Sequence, residues 1–238
     1  MSDTNRSPGK TGPALVVLAI ALLAANAVLE HLLPDAQRTW MAGENGAVEL
    51  GQFAVLMLAM LSALAFQADP VIRKNALAPS WLLLAAAGCF YVGMEEASWG
   101  QWFFHWPTPE GWALINDQQE TNLHNTSSWF DQKPRALLEM GIIIGGIILP
   151  LLYRTGSRHP RKPWLDTLVP GLYLMPLALL AEAVRLEEFV LKLPGMDGQV
   201  FFFARRSSEI QEFCYYMFIL AYIWDLRGRL HRNVQGTP

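Results

Sequence analysis

Six stretches of this sequence run for about the length of a membrane crossing with almost no charge: approximately 14–33, 47–66, 81–104, 137–153, 164–184 and 209–226. A hydrocarbon core of roughly 30 Å is crossed by about 20 helical residues. Inside it no water satisfies backbone N–H and C=O groups, so each stretch must bond internally as a helix. The sequence therefore predicts an all-α fold, a polytopic transmembrane bundle of about six helices in one membrane domain, residues 13–230. Composition agrees. Only 16% of the 238 residues are charged and the mean hydropathy is +0.21, where a soluble domain carries about 25% charged residues. The polar tails, 1–12 and 231–238, read as disordered.

Several function classes drop out at once. A net charge of −3 leaves no basic footprint for nucleic acid, and no Walker, Rossmann or zinc-finger pattern occurs. Cys89 and Cys214 lie in apolar runs without CxxC spacing and read as packing residues. The first segment contains Ala24, Asn26 and Ala27, loosely like a cleavage site, but is too long for a signal-peptide core and reads as an uncleaved helix. In the short fourth segment Gly141, Gly145 and Gly146 suit close helix packing. In the fifth, Pro170 and Pro176 predict a kink.

Basic residues set the orientation. With the N-terminus inside, 11 of the 18 Lys and Arg fall in cytoplasmic segments and 7 outside, the loop RTGSRHPRK contributing most. Both termini are then cytoplasmic, and a pattern follows. Glu30 and His31, Glu49 and Gln52, Glu95 and Glu96, Glu139, Glu182, and Glu209 and Glu212 all fall at the outer ends of their helices. A charge at a helix centre costs about 2.5–3.5 kcal/mol, and less near an interface. Such carboxylates either reach headgroup water, face a shared polar cavity, pair with basic groups or bind a cation. For Glu30, Glu139, Glu187 and Glu188 headgroup water and a cavity are equally good accounts.

Glu95 and Glu96 are harder to assign to water, because CFYVGM precedes them and ASWGQWFF follows. On one continuous helix Glu95, Ser98, Trp99 and Trp102 share a face, and Glu209 and Glu212 share another. Helices 3, 5 and 6 could thus present carboxylates to one another, as di-metal carboxylate bundles do, although the Glu-x-x-His pairs of those bundles are lacking. A divalent metal held by Glu95, Glu96, His124, Glu209 and Glu212 is one use of such a cluster. Acid–base chemistry by paired carboxylates is another.

The loop 105–134 is long for a helix–helix connection and carries Trp106, Trp112, Trp129 and Phe130. Tryptophan favours the membrane interface, so the loop is expected to lie along the outer surface and to offer a face to lipids or a protein partner. Thr108 and Pro109 read as N-cap and first residue of a short helix. Glu120 and His124 stand four apart, so one helical turn would set a carboxylate beside an imidazole, a metal-binding or base-orienting pair. Ser98, Gln101, Asn122 and Asn125 are candidate substrate contacts. Arg205 and Arg206 read as snorkelling cations, counter-ions, or a clamp for phosphate.

The blocks EEASWGQ (95–101) and ETNLHN (120–125), joined by TPE (108–110), resemble a family of uncharacterised bacterial multi-pass membrane proteins. The resemblance covers about residues 93–125 and implies a helical inner-membrane protein with an outer-face site; it supplies no reaction. The double glutamate also looks like the opening of the CAAX-type intramembrane proteases. Gly100 stands where their EExxxR motif has arginine, and their FxxxH and HxxxN motifs are missing. The leading expectation is a membrane enzyme, hydrolase or transferase, acting on a lipid or lipid-linked substrate at the outer leaflet. Glu95, Glu96, Glu120 and His124 would be its catalytic centre, with His105 nearby. A cation- or proton-coupled transporter and a non-catalytic subunit of a membrane complex are the alternatives.

Overall fold

The computed structural model describes residues 10–41, 43, 46–116, 118–154, 167–195 and 207–235. Among them every regular element is helical. The long helices are α1 (Thr11–Leu32), α3 (Ala47–Ala65), α5 (Ala78–Glu96), α8 (Ser128–Ile142), α10 (Met175–Leu191) and α11 (Ser207–Gln235). Short helices join them: α2 (Asp35–Met41), α4 (Pro70–Lys74), α6 (Gln101–Phe104), α7 (Glu110–Ala113) and α9 (Leu149–Arg154). Three spans are long and apolar enough to cross a membrane: Thr11–Leu32, Ala47–Ala68 and Gln132–Tyr153.

α11 is the mast of the bundle. It packs against α1, α3 and α10, while α3 also packs along α5. Tyr215, Met217, Leu220, Ile223 and Leu226 are almost wholly buried along its length, as expected of a helix that is apolar on most sides. The outer helices invert the arrangement of a soluble protein. Val17 of α1, Leu58 of α3, Leu83 of α5 and Leu186 of α10 point outward, while Glu30, Glu49, Gln52, Glu95 and Gln211 are buried. Such inversion suits a hydrocarbon surround.

Local chemistry sets several boundaries. The Asp69 carboxylate accepts from the Val71 N–H, with Pro70 at the first helical position of α4. Asn75 accepts from Leu77 and Ala78 at 2.9 Å each, launching α5. Among the glycines of the fourth span, Gly146 alone is tightly packed: a Cβ there would come within 2.8 Å of the Phe218 ring and 3.0 Å of Ala178 Cβ. A Cβ on Gly141 or Gly145 would meet nothing within 4 Å, so the GxxxG spacing is not a contact in this chain. Between α8 and α9, residues Ile143–Ile148 form a π-helical stretch.

Four expectations need correction. The third apolar segment is not one helix over 81–104: α5 stops at Glu96, and a left-handed turn intervenes before α6. The fourth, placed at 137–153, begins at Ser128, inside what reads as loop. In the fifth, placed at 164–184, the prolines break the helix rather than kink it. Gly171 is extended, Leu172–Leu174 is a single 3-10 turn, and α10 runs from Met175, with Pro176 in its first turn, to Leu191. Pro170 and Pro176 donate no backbone N–H, so a continuous ladder across them would lose two bonds. The sixth segment does not end at 226 but continues to Gln235. There Arg229 Nε binds Asp225 at 2.7 Å one turn back, and Arg227 and His231 both bind Asp69, tying the polar end down. Residues 231–235 are thus helix rather than tail; 1–9 and 236–238 lie outside the described residues.

Candidate functional site

The site begins where α5 ends. Ser98, Trp99 and Gly100 have φ of 46°, 55° and 101°. Left-handed backbone is easy for glycine but strained for the first two. Three such residues in a row turn the chain back on itself, and hydrogen bonds hold the turn. Trp99 Nε1 donates to Glu95 Oε1 at 2.7 Å. The other Glu95 oxygen accepts from the backbone N–H groups of Leu123 (2.7 Å) and His124 (3.0 Å). Glu95, 4% exposed, thereby caps the 3-10 turn His124–Thr126 from a distant segment, where a helix start favours a carboxylate.

The remaining motif residues clasp one another. Glu120 Oε2 accepts from Ser98 Oγ at 2.7 Å and from Asn122 Nδ2 at 2.6 Å. Gln101 Oε1 accepts from the Thr121 backbone at 2.8 Å, and its amide donates to Thr108 Oγ1 at 2.9 Å. Asn116 donates to Asn122 and accepts from the N–H groups of Gln118 and Glu120. Ser98 and Asn122 are fully buried. The two polar blocks are therefore the halves of a lock that fastens the loop after α6 to α5.

This lock corrects two local expectations. Glu120 and His124 do not share a helical turn, because Glu120 faces Ser98 and Asn122 while His124 faces Glu95. Nor is Thr108 an N-cap: its hydroxyl serves Gln101 and donates to the Gln119 carbonyl, leaving Pro109 ahead of α7.

Beneath the loop lies a cavity of about 560 Å³. One whole face of α5 lines it, from Trp81 through Leu84, Ala85, Gly88 and Val92 to Glu95 and Glu96, a length of about 22 Å at 1.5 Å per residue. α8 contributes Pro134, Arg135 and Leu138, and α11 contributes Glu209, Glu212, Tyr216, Ile219 and Tyr222. The end beneath the loop is crowded with carboxylates, Glu49, Glu95, Glu96, Glu209 and Glu212, together with His124 and Asn125; the wall toward Trp81 is mostly apolar.

Besides Glu95, three of these carboxylates have partners of their own. Glu96 accepts from Tyr216 Oη at 2.8 Å. Glu209 accepts from Gln52 Nε2 at 3.2 Å. Glu212 pairs with Arg135 at 3.2 Å, whose other amine reaches Gln211 Oε1 at 2.7 Å. From Gln211 the chain of bonds runs through Tyr215 Oη to Glu182. His124 Nδ1 stands 3.5 Å from Glu95 Oε2. Burial opposes its charged form, but the bond and charge of Glu95, helped by Glu212 and Glu120, outweigh burial and hold the His124 pKa above its ordinary value.

The structure thus sorts the sequence candidates. Glu95, Glu96, His124, Asn125, Glu209 and Glu212 line the cavity; Glu120, Ser98, Gln101 and Asn122 belong to the lock. His105 is exposed, in a left-handed conformation, and is not part of the cavity wall. Arg205 and Arg206 lie outside the described residues. The expected metal set, Glu95, Glu96, His124, Glu209 and Glu212, lines one cavity without converging. Among the described residues no group of three or more His, Cys, Asp or Glu is placed to hold a metal ion. Both Glu95 oxygens are taken by N–H donors.

Sequence reading did not single out Arg135 or Tyr216. The spacing 209, 212, 216 on one helix face was the available signal for Tyr216; Arg135, after Pro134, looks like any interfacial arginine. Compared with known proteins, the chain matches no family model, no curated protein and no solved structure.

Proposed function

We propose that this is a six-span membrane protein whose cavity receives an amphiphile, a lipid or lipid-linked molecule, and performs acid–base chemistry on its head at the outer face. The observation that carries the reading is the cavity's own polarity, with clustered carboxylates and His124 at one end and an apolar wall along α5 beyond. Ligand sites of this kind combine apolar lining with a few convergent polar groups. An amphiphile's tail would follow the wall from Val92 toward Trp81, and its head would meet Glu96, Glu209 and Glu212.

His124 is the proton carrier in this reading, and Glu95 is its positioning residue. Glu95 holds both the backbone and the ring of His124, so the imidazole is fixed before any substrate arrives. Arg135 pairs with one carboxylate of the cluster, Glu212. An outer collar of exposed Trp40, Phe104, Trp106, Leu114 and Trp129 supports an interface at the level of the loop. Such a level, with the basic residues concentrated toward the other end, favours cytoplasmic termini and residence in a cell membrane.

The test is lipid analysis of protein purified in mild detergent, paired with lipid profiles of cells producing wild-type or variant protein. One lipid class should co-purify with both wild type and His124→Ala, and only wild type should change that class in cells. Lipid-free protein together with indistinguishable cell profiles would sink the reading.

A further inference from the structure

The cavity beneath the loop has a shape that narrows what can occupy it. α5 lines it from Trp81 to Glu96 and α11 from Ser208 to Tyr222, spans of about 22 Å and about 21 Å at 1.5 Å per residue. Spread over that length, its volume of about 560 Å³ gives a mean cross-section on the order of 25 Å². A dry apolar cavity of ~150 Å³ takes a benzene ring, so each carbon needs about 25 Å³. An extended chain advances about 1.2 Å per bond, since three backbone bonds cover roughly 3.5 Å. One hydrocarbon chain therefore has a cross-section of about 20 Å², and two side by side need about 40 Å². The volume holds about 22 non-hydrogen atoms and the length about 18 bonds. Both figures describe a single chain with a small head.

The cavity is also open along one side. Leu84 and Gly88 line it and are at the same time exposed, Leu84 by 63%. Both belong to the apolar run of α5, and in the six-span reading they face hydrocarbon. A chain can thus enter sideways without crossing water. One turn nearer the carboxylates, the same wall carries Tyr91, whose ring centroid lies 6.3 Å from that of Trp99. A second chain attached to the same head would have to leave past these two rings.

We infer that the cavity takes an amphiphile with one chain of about sixteen carbons and a head of only a few atoms, on the scale of a monoacylglycerol, and selects chain length between Glu96 and Trp81. The inference rests on the amphiphile reading above and narrows it to a substrate class. Gly88 keeps the passage clear. A Cβ there would meet nothing within 4 Å, and the residue lies about 12 Å along α5 from Glu96. A bulky side chain at this position would divide the cavity without pressing on the rest of the fold.

The test loads the full chain, in detergent micelles, with monoacylglycerols of eight, sixteen or twenty-two carbons, or with dipalmitoylglycerol, which shares their glycerol head. Lipid retained through gel filtration is then measured. Lipid tails are as apolar as the wall, so retention reports fit rather than burial. Wild type should retain the sixteen-carbon probe about tenfold better than dipalmitoylglycerol or the twenty-two-carbon probe, the scale of overpacking an apolar site. Gly88→Phe should lower sixteen-carbon retention about tenfold while keeping the eight-carbon probe, and Gly88→Ala should match wild type. Equal melting temperatures without lipid separate a blocked cavity from a lost fold. Wild type holding the one- and two-chained probes equally, or a folded Gly88→Phe holding the sixteen-carbon probe as wild type does, would overturn the inference and leave the amphiphile reading standing. Retention of no probe by wild type would overturn both.

Discussion

Replacing Glu95 with glutamine should release the loop after α6 from α5 while leaving the bundle folded. The carboxylate accepts three N–H bonds, from Trp99 Nε1, Leu123 N and His124 N, at 2.7, 2.7 and 3.0 Å. A glutamine has one acceptor oxygen. Turned toward Leu123 and His124, it keeps two bonds as neutral ones and sets its own NH₂ against the Trp99 N–H. A bond to a charged group contributes about 1.5–3 kcal/mol and a neutral one about 0.5–1.5. Two bonds each weakened by about 1 kcal/mol, and a third of at least about 1.5 kcal/mol lost, give roughly 3.5 kcal/mol against loop closure. At 1.4 kcal/mol per factor of ten, that is on the order of a few hundredfold in the opening equilibrium. The assay is amide hydrogen exchange of wild type and Glu95→Gln in nanodiscs, read at Leu123 and His124, with α11 amides near Leu220 as the internal standard. Protection at the two loop amides should fall on the order of a few hundredfold while the standard holds. Unchanged protection at Leu123 and His124 would refute the view that Glu95 bolts the loop down.

The same loop should loosen as pH rises. The His124 pKa is raised in the folded state, so its contribution is fully present below the ordinary value near 6.5 and is lost as pH climbs through the folded value. Loop exchange, corrected for intrinsic rate, should accelerate above neutrality, and His124→Gln should flatten that dependence. Gly146→Ala should lower thermal stability in detergent by about 1–3 kcal/mol, the usual cost of overpacking, because its Cβ would meet Phe218 and Ala178. Gly145→Ala, with open space around it, should be neutral; equal losses at both would contradict the packing described. Asp69→Asn should destabilise the opposite end of the bundle by roughly 1–2 kcal/mol, from a weakened N-cap and two ion pairs discounted for exposure. Burial disfavours the Asp69 carboxylate, but the bonds of His231, Arg227 and the Val71 N–H prevail and hold its pKa well below the usual range. Its stabilisation is therefore present above about pH 4 and is lost only as pH falls further, so wild type and Asp69→Asn should converge in acid.

Much of the architecture was legible because apolar run length is a blunt, strong signal. The end of α1, the start of α3, and the burial of Cys89 and Cys214 follow from it directly. The approach of Glu95 to the ETNLHN block was legible only as an association of two polar patches. The sequence could not tell a catalytic cluster from a clasp, because the same residue types serve both. What decides is direction, and direction was hidden by the break at Ser98–Gly100. Gly100 was the available clue, a glycine where a helix could end; the left-handed Ser98 and Trp99 ahead of it had none. The polar end of α11 was misread for the opposite reason. HRNVQ (231–235) looks like a tail until Asp69, more than 150 residues earlier, is seen to grip Arg227 and His231.

The π-helical stretch Ile143–Ile148 works like a slipped tooth between two gears. One additional residue in a helical turn rotates everything beyond it by about 100°. On the loop side of the stretch, Arg135 and Glu139 are meshed with Glu212 and Arg185. On the other side, Leu151 and Leu152 turn outward. With regular α-helical pitch throughout, correct phasing of one half would misphase the other. A single-residue deletion within 143–148 would keep the span nearly as long and as greasy, yet uncouple Arg135 from the carboxylates it faces.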